Sequence, residues 1–220
     1  MPIADAVAAV RDEIAAACAR VGRDPAEVAL LAVTKSQGPE VLEPLAACGL
    51  HDYGENRVDH LALMAGRAPS ASRFHHIGRI QSRQIPDIVR HAAVVHGLVD
   101  AGHARRLDRG AGEAGRRIGV VCQVNTSGET AKAGVSPDDL DALIGVVRGC
   151  AHLDLLGLMT MAPELGVHAD EGGVRACFAR LRGLARDRGL ARLSMGMSLD
   201  LAIAVEEGST DLRIGTRLFV

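Results

Sequence analysis

Lys35 closes the apolar, β-type run Leu30-Leu31-Ala32-Val33-Thr34. Burial at the end of such a run would lower an amine's pKa toward the neutral form, which is the form that attacks carbonyls. The position therefore fits either an ion pair or a nucleophile for Schiff-base chemistry. A lysine just past a strand end also snorkels to solvent with no such role. A second group of candidates lies far along the chain, in Ser194-Met195-Gly196-Met197-Ser198 and Arg213-Ile214-Gly215-Thr216. Gly196 and Gly215 would let backbone N–H groups approach an anion closely, and Ser194, Ser198 and Thr216 carry hydroxyl donors. Ser198 reads equally as the N-cap of the helix that follows. Arg213 stays protonated and can only donate, or it forms a salt bridge with Asp211 or Glu207.

These groups need a scaffold that brings distant segments together. Apolar or β-branched runs appear near 29–34, 51–53, 73–77, 93–98, 118–124, 153–158, 192–195 and 211–214, mostly without alternation, as in strands covered on both faces. Helical patterns fall between them near 38–48, 55–65, 81–90, 101–114, 136–149, 171–188 and 198–207. A further helix over 3–21 stands in front, with Ile3, Val7, Val10, Ile14 and Cys18 on one stripe and Gly22 as its C-cap. Eight strands with a helix in nearly every gap predict right-handed βαβ units closing into a (β/α)₈ barrel, the TIM-barrel fold, with an extra N-terminal helix. No repeat, low-complexity tract or linker divides the chain, so 1–220 is expected to form one domain.

Composition narrows the function classes. Lys+Arg 25 against Asp+Glu 27 gives a net charge of −2, which offers no support for nucleic-acid binding. The charges Asp5, Arg11, Asp12, Glu13 and Arg20 exclude a signal peptide or membrane span in the first helix. Five cysteines, Cys18, Cys48, Cys122, Cys150 and Cys177, are odd in number and contain no CxxC pair. They read as thiols of a reducing compartment, and a cytoplasmic location is expected. No metal site is expected.

In a parallel barrel the functional face is at the C-terminal ends of the strands. Lys35, Gly54-Glu55-Asn56-Arg57, His75-His76-Ile77-Gly78, Asn125, Met159-Thr160-Met161-Ala162-Pro163 and the two late segments would all fall there. An amine after strand 1 facing a phosphate cradle after strands 7 and 8 suits a phosphorylated aldehyde, and pyridoxal 5′-phosphate is the common cofactor of that description. Arg213 against the cofactor's ring nitrogen would weaken its electron sink, because it can donate only to an unprotonated nitrogen. An aldolase-type barrel for a sugar phosphate would use the same Lys35 and loops without a cofactor. A racemase or lyase would need a second acid/base, for which Tyr53 and His75 are the candidates.

Those blocks, together with Arg79-Ile80-Gln81-Ser82, Gly157-Leu158 and Gly22-Arg23-Asp24-Pro25, stand in the order and spacing of a known family. The sequence resembles the pyridoxal phosphate homeostasis proteins, single-domain relatives of the alanine racemase N-terminal barrel, over nearly its whole length. The resemblance implies a (β/α)₈ barrel holding pyridoxal phosphate as a Schiff base on Lys35. Ser194, Ser198, Gly215 and Thr216 would hold the phosphate, with Arg213 at the ring nitrogen, Asn56 near the cofactor and Met195 lining the site. It implies a carrier or regulator of vitamin B6 and amino-acid pools without strong catalytic turnover, with amino acids as ligands and apo B6-dependent enzymes as acceptors. The sequence closes at Val220, just after the last strand, so the racemase β-domain with its dimer interface and second tyrosine is expected to be absent and the protein monomeric. The chain departs from the family pattern at His76, Arg83-Gln84 and Leu199, which bears on ligand selectivity and surface contacts.

Overall fold

Short apolar segments such as Ala29–Val33 and Val94–Leu98 bury both faces, which suits strands enclosed between a barrel interior and a ring of helices. The computed structural model describes residues 1–129 and 132–219. Its strands are β1 Ala29–Val33, β2 Asp52–Glu55, β3 Arg73–His76, β4 Val94–Leu98, β5 Ile118–Gln123, β6 Leu153–Met159, β7 Arg192–Ser194 and β8 Asp211–Ile214. Each pairs in parallel with the next, and β8 returns to β1 with Leu31 opposite Arg213, closing the eight-stranded barrel. The fold is the expected α/β TIM barrel.

The helices are α1 Ile3–Val21, α2 Leu42–Ala47, α3 Val58–Ala65, α4 Ile85–His91, α5 Ala101–Glu113, α6 Leu140–Arg148, α7 Glu171–Arg186 and α8 Leu201–Glu206. Seven fill the gaps between strands, and α1 completes the ring by packing on α8 and on the single 3₁₀ turn Thr216–Leu218 that follows β8. Its stripe Ala6, Val7, Val10, Ile14, Ala17 and Cys18 is buried. Arg20 reaches Glu206 at 2.6 Å, and Arg23 donates to the carbonyls of Val205 and Ser209, which fastens α1 to α8 and the turn beyond it. The helix expected as an extra is thus a member of the barrel's outer wall. Gly22 caps it in the left-handed region, at φ 68°.

Several helices begin later than their periodicity predicts. Glu55 remains in β2, so α3 starts at Val58, and α8 starts at Leu201 after a loop that forms one wall of the site. No helix among the described residues is long and apolar enough to cross a membrane. The five cysteines are unpaired, four of them buried, and burial pushes the Cys122 thiol up to about 12.

Strand parity divides the interior into two unlike regions. Residues such as Ala32, Tyr53, Phe74, Val95, Cys122, Leu193 and Leu212 face the helices and belong to one large apolar core. Val94, Val121 and Met159 form a small separate cluster inside the barrel, with Leu156 packed against it. The same interior holds His75, His96, Ser194 and Arg213, all buried.

Candidate functional site

A cavity of about 790 Å³ opens at the C-terminal ends of the strands. Lys35, Asn56, Ser198, Arg213, Gly215 and Thr216 line it, together with Lys132, Glu164 and Asp200, which the sequence did not single out. Asn125, expected on this face, donates to the carbonyls of Glu129 and Lys132 and so ties Lys132 to the end of β5.

The setting of Lys35 differs from the expected one. β1 ends at Val33, and Lys35 lies exposed in the turn beyond it, so the open cavity and not burial in a strand gives it access to a ligand. The turn is held from both ends. Thr34 Oγ1 donates to Glu55 Oε1 at 2.5 Å, while His60 on α3 meets Glu55 Oε2 at 2.7 Å and the Gln37 carbonyl at 3.0 Å. Gln37 N–H closes the turn onto the Thr34 carbonyl at 2.8 Å. Burial raises the Glu55 carboxyl's pKa, against the hydrogen bonds from Thr34 and His60. Nδ1 of His60 faces the Glu55 carboxyl and Nε2 the Gln37 carbonyl, so one ring ties the start of α3 to both β2 and the turn. Neither role is apparent from the sequence, whose periodicity puts Glu55 and His60 in one helix, whereas the structure places Glu55 in β2 and His60 in α3.

The facing wall is the loop between β7 and α8. Gly196 adopts φ +95°, and a Cβ there would lie 2.4 Å from Ala204 Cβ and 2.6 Å from Leu212 Cδ2. Glycine at 196 is therefore required by backbone conformation and by packing against α8 and β8. Asp200 Oδ1 accepts from Met197 N–H at 2.5 Å and braces the loop, and burial raises the pKa of its carboxyl. Ser198 does not cap α8, since that helix starts at Leu201 and Asp200 occupies the cap position. The Ser198 hydroxyl is thereby left for the cavity it lines. Gly215 comes close to β1, where a Cβ would stand 3.3 Å from the Val33 carbonyl.

Arg213 forms neither of the salt bridges considered for it. Asp211 pairs with Arg192, and Glu207 pairs with Arg175 and Arg182. Instead Arg213 Nη1 donates to Ser194 Oγ at 2.7 Å and Nη2 to the Thr160 carbonyl at 3.1 Å. Burial lowers its pKa to about 10, against the pull of Asp200 and Asp211, so it remains a cation at neutral pH. A guanidinium has five N–H groups, and two are used here, which leaves donors for a ligand in the cavity that Arg213 lines.

Two side chains expected in the site stand apart from it. Ser194 is fully buried, and its Oγ is taken up by Arg213 and by His96 Nδ1 at 2.8 Å. Met195, one residue on, faces the helices and joins the apolar core, while Met197 lines the cavity. The two acid/base candidates also lie elsewhere. Tyr53 is buried against Phe74 and donates to the Leu50 carbonyl at 2.7 Å, and His75 points into the barrel interior. Of the departures, Leu199 is 71% exposed on the cavity rim, and His76 is buried with neither ring nitrogen hydrogen-bonded.

Known proteins share this architecture over its full length. The family model for the N-terminal domain of alanine racemase matches residues 6–220. The chain is 41% identical to the pyridoxal phosphate homeostasis protein of Pseudomonas aeruginosa, covering 99% of this chain and 94% of that one. It is 36% identical to the protein of the same name from Aquifex aeolicus, covering 96% and 94%. PipY of Synechococcus elongatus, solved with PLP bound, superimposes with a TM-score of 0.86 at 31% identity, over 99% of this chain and all of PipY. An alanine racemase of Clostridium difficile shares the fold, with a TM-score of 0.74 at 13% identity over 88% of this chain and 52% of its own. The chain belongs to the alanine racemase N-terminal domain family and, within it, to the pyridoxal phosphate homeostasis proteins.

Proposed function

We propose that this chain holds pyridoxal 5′-phosphate in the barrel-mouth cavity, attached through Lys35, and acts in vitamin B6 and amino-acid homeostasis without strong turnover. The observation that carries this reading is that an amine, an arginine donor and a set of small hydroxyl-bearing residues line one cavity. The donor set fits the group. Ser198, Thr216 and the Gly215 backbone suit a phosphate, and Lys35 suits an aldehyde. Arg213 suits an unprotonated ring nitrogen, because it can donate and cannot accept. When bound, the cofactor supplies an aldehyde carbon and an electron-withdrawing ring.

The chain's own residues favour holding over turnover. Arg213 leaves a ring nitrogen unprotonated, which limits how well the ring can accept electrons. Racemisation needs a group on each face of a substrate, and Tyr53 and His75 are both occupied outside the cavity. A small cofactor in an open mouth beside exposed Leu199 can be handed on, so amino acids and apo forms of B6-dependent enzymes are the proposed ligand and acceptors. The protein is proposed to be a cytoplasmic monomer.

Reconstitution with pyridoxal phosphate tests the reading. The protein should turn yellow, and borohydride reduction followed by peptide mapping should mark Lys35. Lys35→Ala should lose the colour. A wild-type protein that stays colourless at millimolar cofactor would overturn the proposal.

A further inference from the structure

The barrel interior contains a continuous hydrogen-bonded chain that the cavity only touches at one end. Asp52 starts β2 at the N-terminal mouth, and its Oδ1 meets His75 Nε2 at 2.9 Å. His75 Nδ1 meets His96 Nε2 at 2.9 Å, His96 Nδ1 meets Ser194 Oγ at 2.8 Å, and Ser194 Oγ accepts from Arg213 Nη1 at 2.7 Å. Five side chains from β2, β3, β4, β7 and β8 thus join the far mouth of the barrel to the cavity.

Proton accounting fixes the direction of this chain. Burial works against the Asp52 carboxylate, but hydrogen bonds from His75 and Arg73 outweigh it and hold the carboxyl below the usual range, so Asp52 accepts. His75 then carries its proton on Nε2, which leaves Nδ1 to accept from His96 Nε2. His96 Nδ1 is left bare and accepts from the Ser194 hydroxyl, and Ser194 Oγ accepts from Arg213. Burial, with the Arg213 and Arg192 cations nearby, keeps His96 neutral. The reversed order would direct both Arg213 and His96 at Ser194 Oγ and leave the serine proton without an acceptor. Every donor therefore points away from the cavity toward Asp52.

Resting on the cofactor reading above, we propose that Asp52, His75, His96 and Ser194 are positioning residues that hold Arg213 in one orientation for the cofactor ring. A carboxylate at one mouth of the barrel thereby sets the donor geometry at the other. Ser194 anchors Nη1 and the Thr160 carbonyl anchors Nη2, so the guanidinium plane is held at two points and its remaining N–H groups have fixed directions. The other charged groups around the chain are Arg73 beside Asp52, Arg192 and Asp211 at the N-terminal mouth, and Asp200 near Arg213.

Nitrogen-15 NMR of the histidines in the cofactor-free protein reads the chain without any ligand. His96 should be neutral at pH 7 with its proton on Nε2, and His75 should carry a proton on Nε2 toward Asp52; the other tautomer at either site, or an imidazolium at His96, would overturn the proposal. In the loaded protein, Ser194→Ala should weaken cofactor affinity about tenfold, the size of one hydrogen bond to a charged group. Asp52→Asn, an isosteric change far from the cavity, should weaken it about threefold and move the pH midpoint of the cofactor's absorbance change downward, because a negative charge is lost. His76→Phe, on the same strand but outside the chain, should leave both readouts unchanged. Thermal melts confirm folding of each variant. Wild-type affinity and midpoint in both S194A and D52N would sink the proposal, whereas failure of the wild type to bind cofactor would sink the functional reading and leave the NMR result standing.

Discussion

The two sides of this barrel wall are built from different materials. Between strands and helices the packing is almost wholly apolar, with Leu61, Leu107, Leu140 and Phe178 among its fully buried side chains. Inside the barrel a few apolar side chains surround a chain of polar ones, each matched to a named partner. The outer layer stabilises the fold through area removed from water, which is non-directional. Hydrogen bonds in the inner region are directional, and there the geometry of one residue depends on the next. Stability and site geometry are therefore separable, and substitutions on the two sides should have different signatures.

The sharpest test of that separation is Phe178→Ala on α7. Phe178 is fully buried against the barrel's outer face, and its removal should lower stability by about 4 kcal/mol, from lost transfer energy and a residual cavity. Cofactor affinity, measured well below the melting temperature, should stay within about twofold, since no inner hydrogen bond is broken. A large loss of affinity in the folded variant would show that the two regions are coupled.

Glu55 is a polar exception on the outer side, and it has partners. His60→Ala removes one of them and leaves the carboxyl with only the Thr34 hydroxyl. A hydrogen bond to a charged group contributes about 2 kcal/mol, and a loss of that order is expected in denaturant titrations. The Gln37 carbonyl also loses its contact, so the turn bearing Lys35 should slacken and cofactor affinity should fall with stability. Loss of stability alone would reduce the His60–Glu55 pair to a structural role.

Much of the scaffold was legible because each strand is a compact apolar run and each gap is long enough for a helix. Side-chain direction was harder to read, and Ser194 and Met195 show why. Strands buried on both faces lack the alternation that tells inside from outside, so nothing local marks Ser194 as inward and Met195 as outward. Lys35, Asn56, Ser198, Gly215 and Thr216 reach the cavity because they lie past strand ends, which define that face whatever the parity, while Arg213 reaches it from within β8. The inner chain was invisible because its contacts link residues as far apart as His96 and Ser194, 98 positions along the sequence. His75 stood out only as a possible acid/base, with no sign of the partners that occupy both its nitrogens.

His76 gives the smallest and most specific test. It adjoins His75 on β3 but faces the helices, where it is fully buried and both nitrogens lack partners. Burial lowers its pKa to about 4, against a smaller opposing effect of the Arg79 backbone. The unfolded chain, with an imidazole near about 6.5, therefore binds more protons than the folded one between those values, and stability rises with pH across that interval. His76→Phe removes two orphaned polar atoms and the titration together. A gain of about 1 kcal/mol at pH 7 is expected, with a flatter stability profile between the two pKa values. If the variant is instead destabilised with its pH profile unchanged, His76 has a partner in solution, and the contrast between a polar inside and an apolar outside fails at that position.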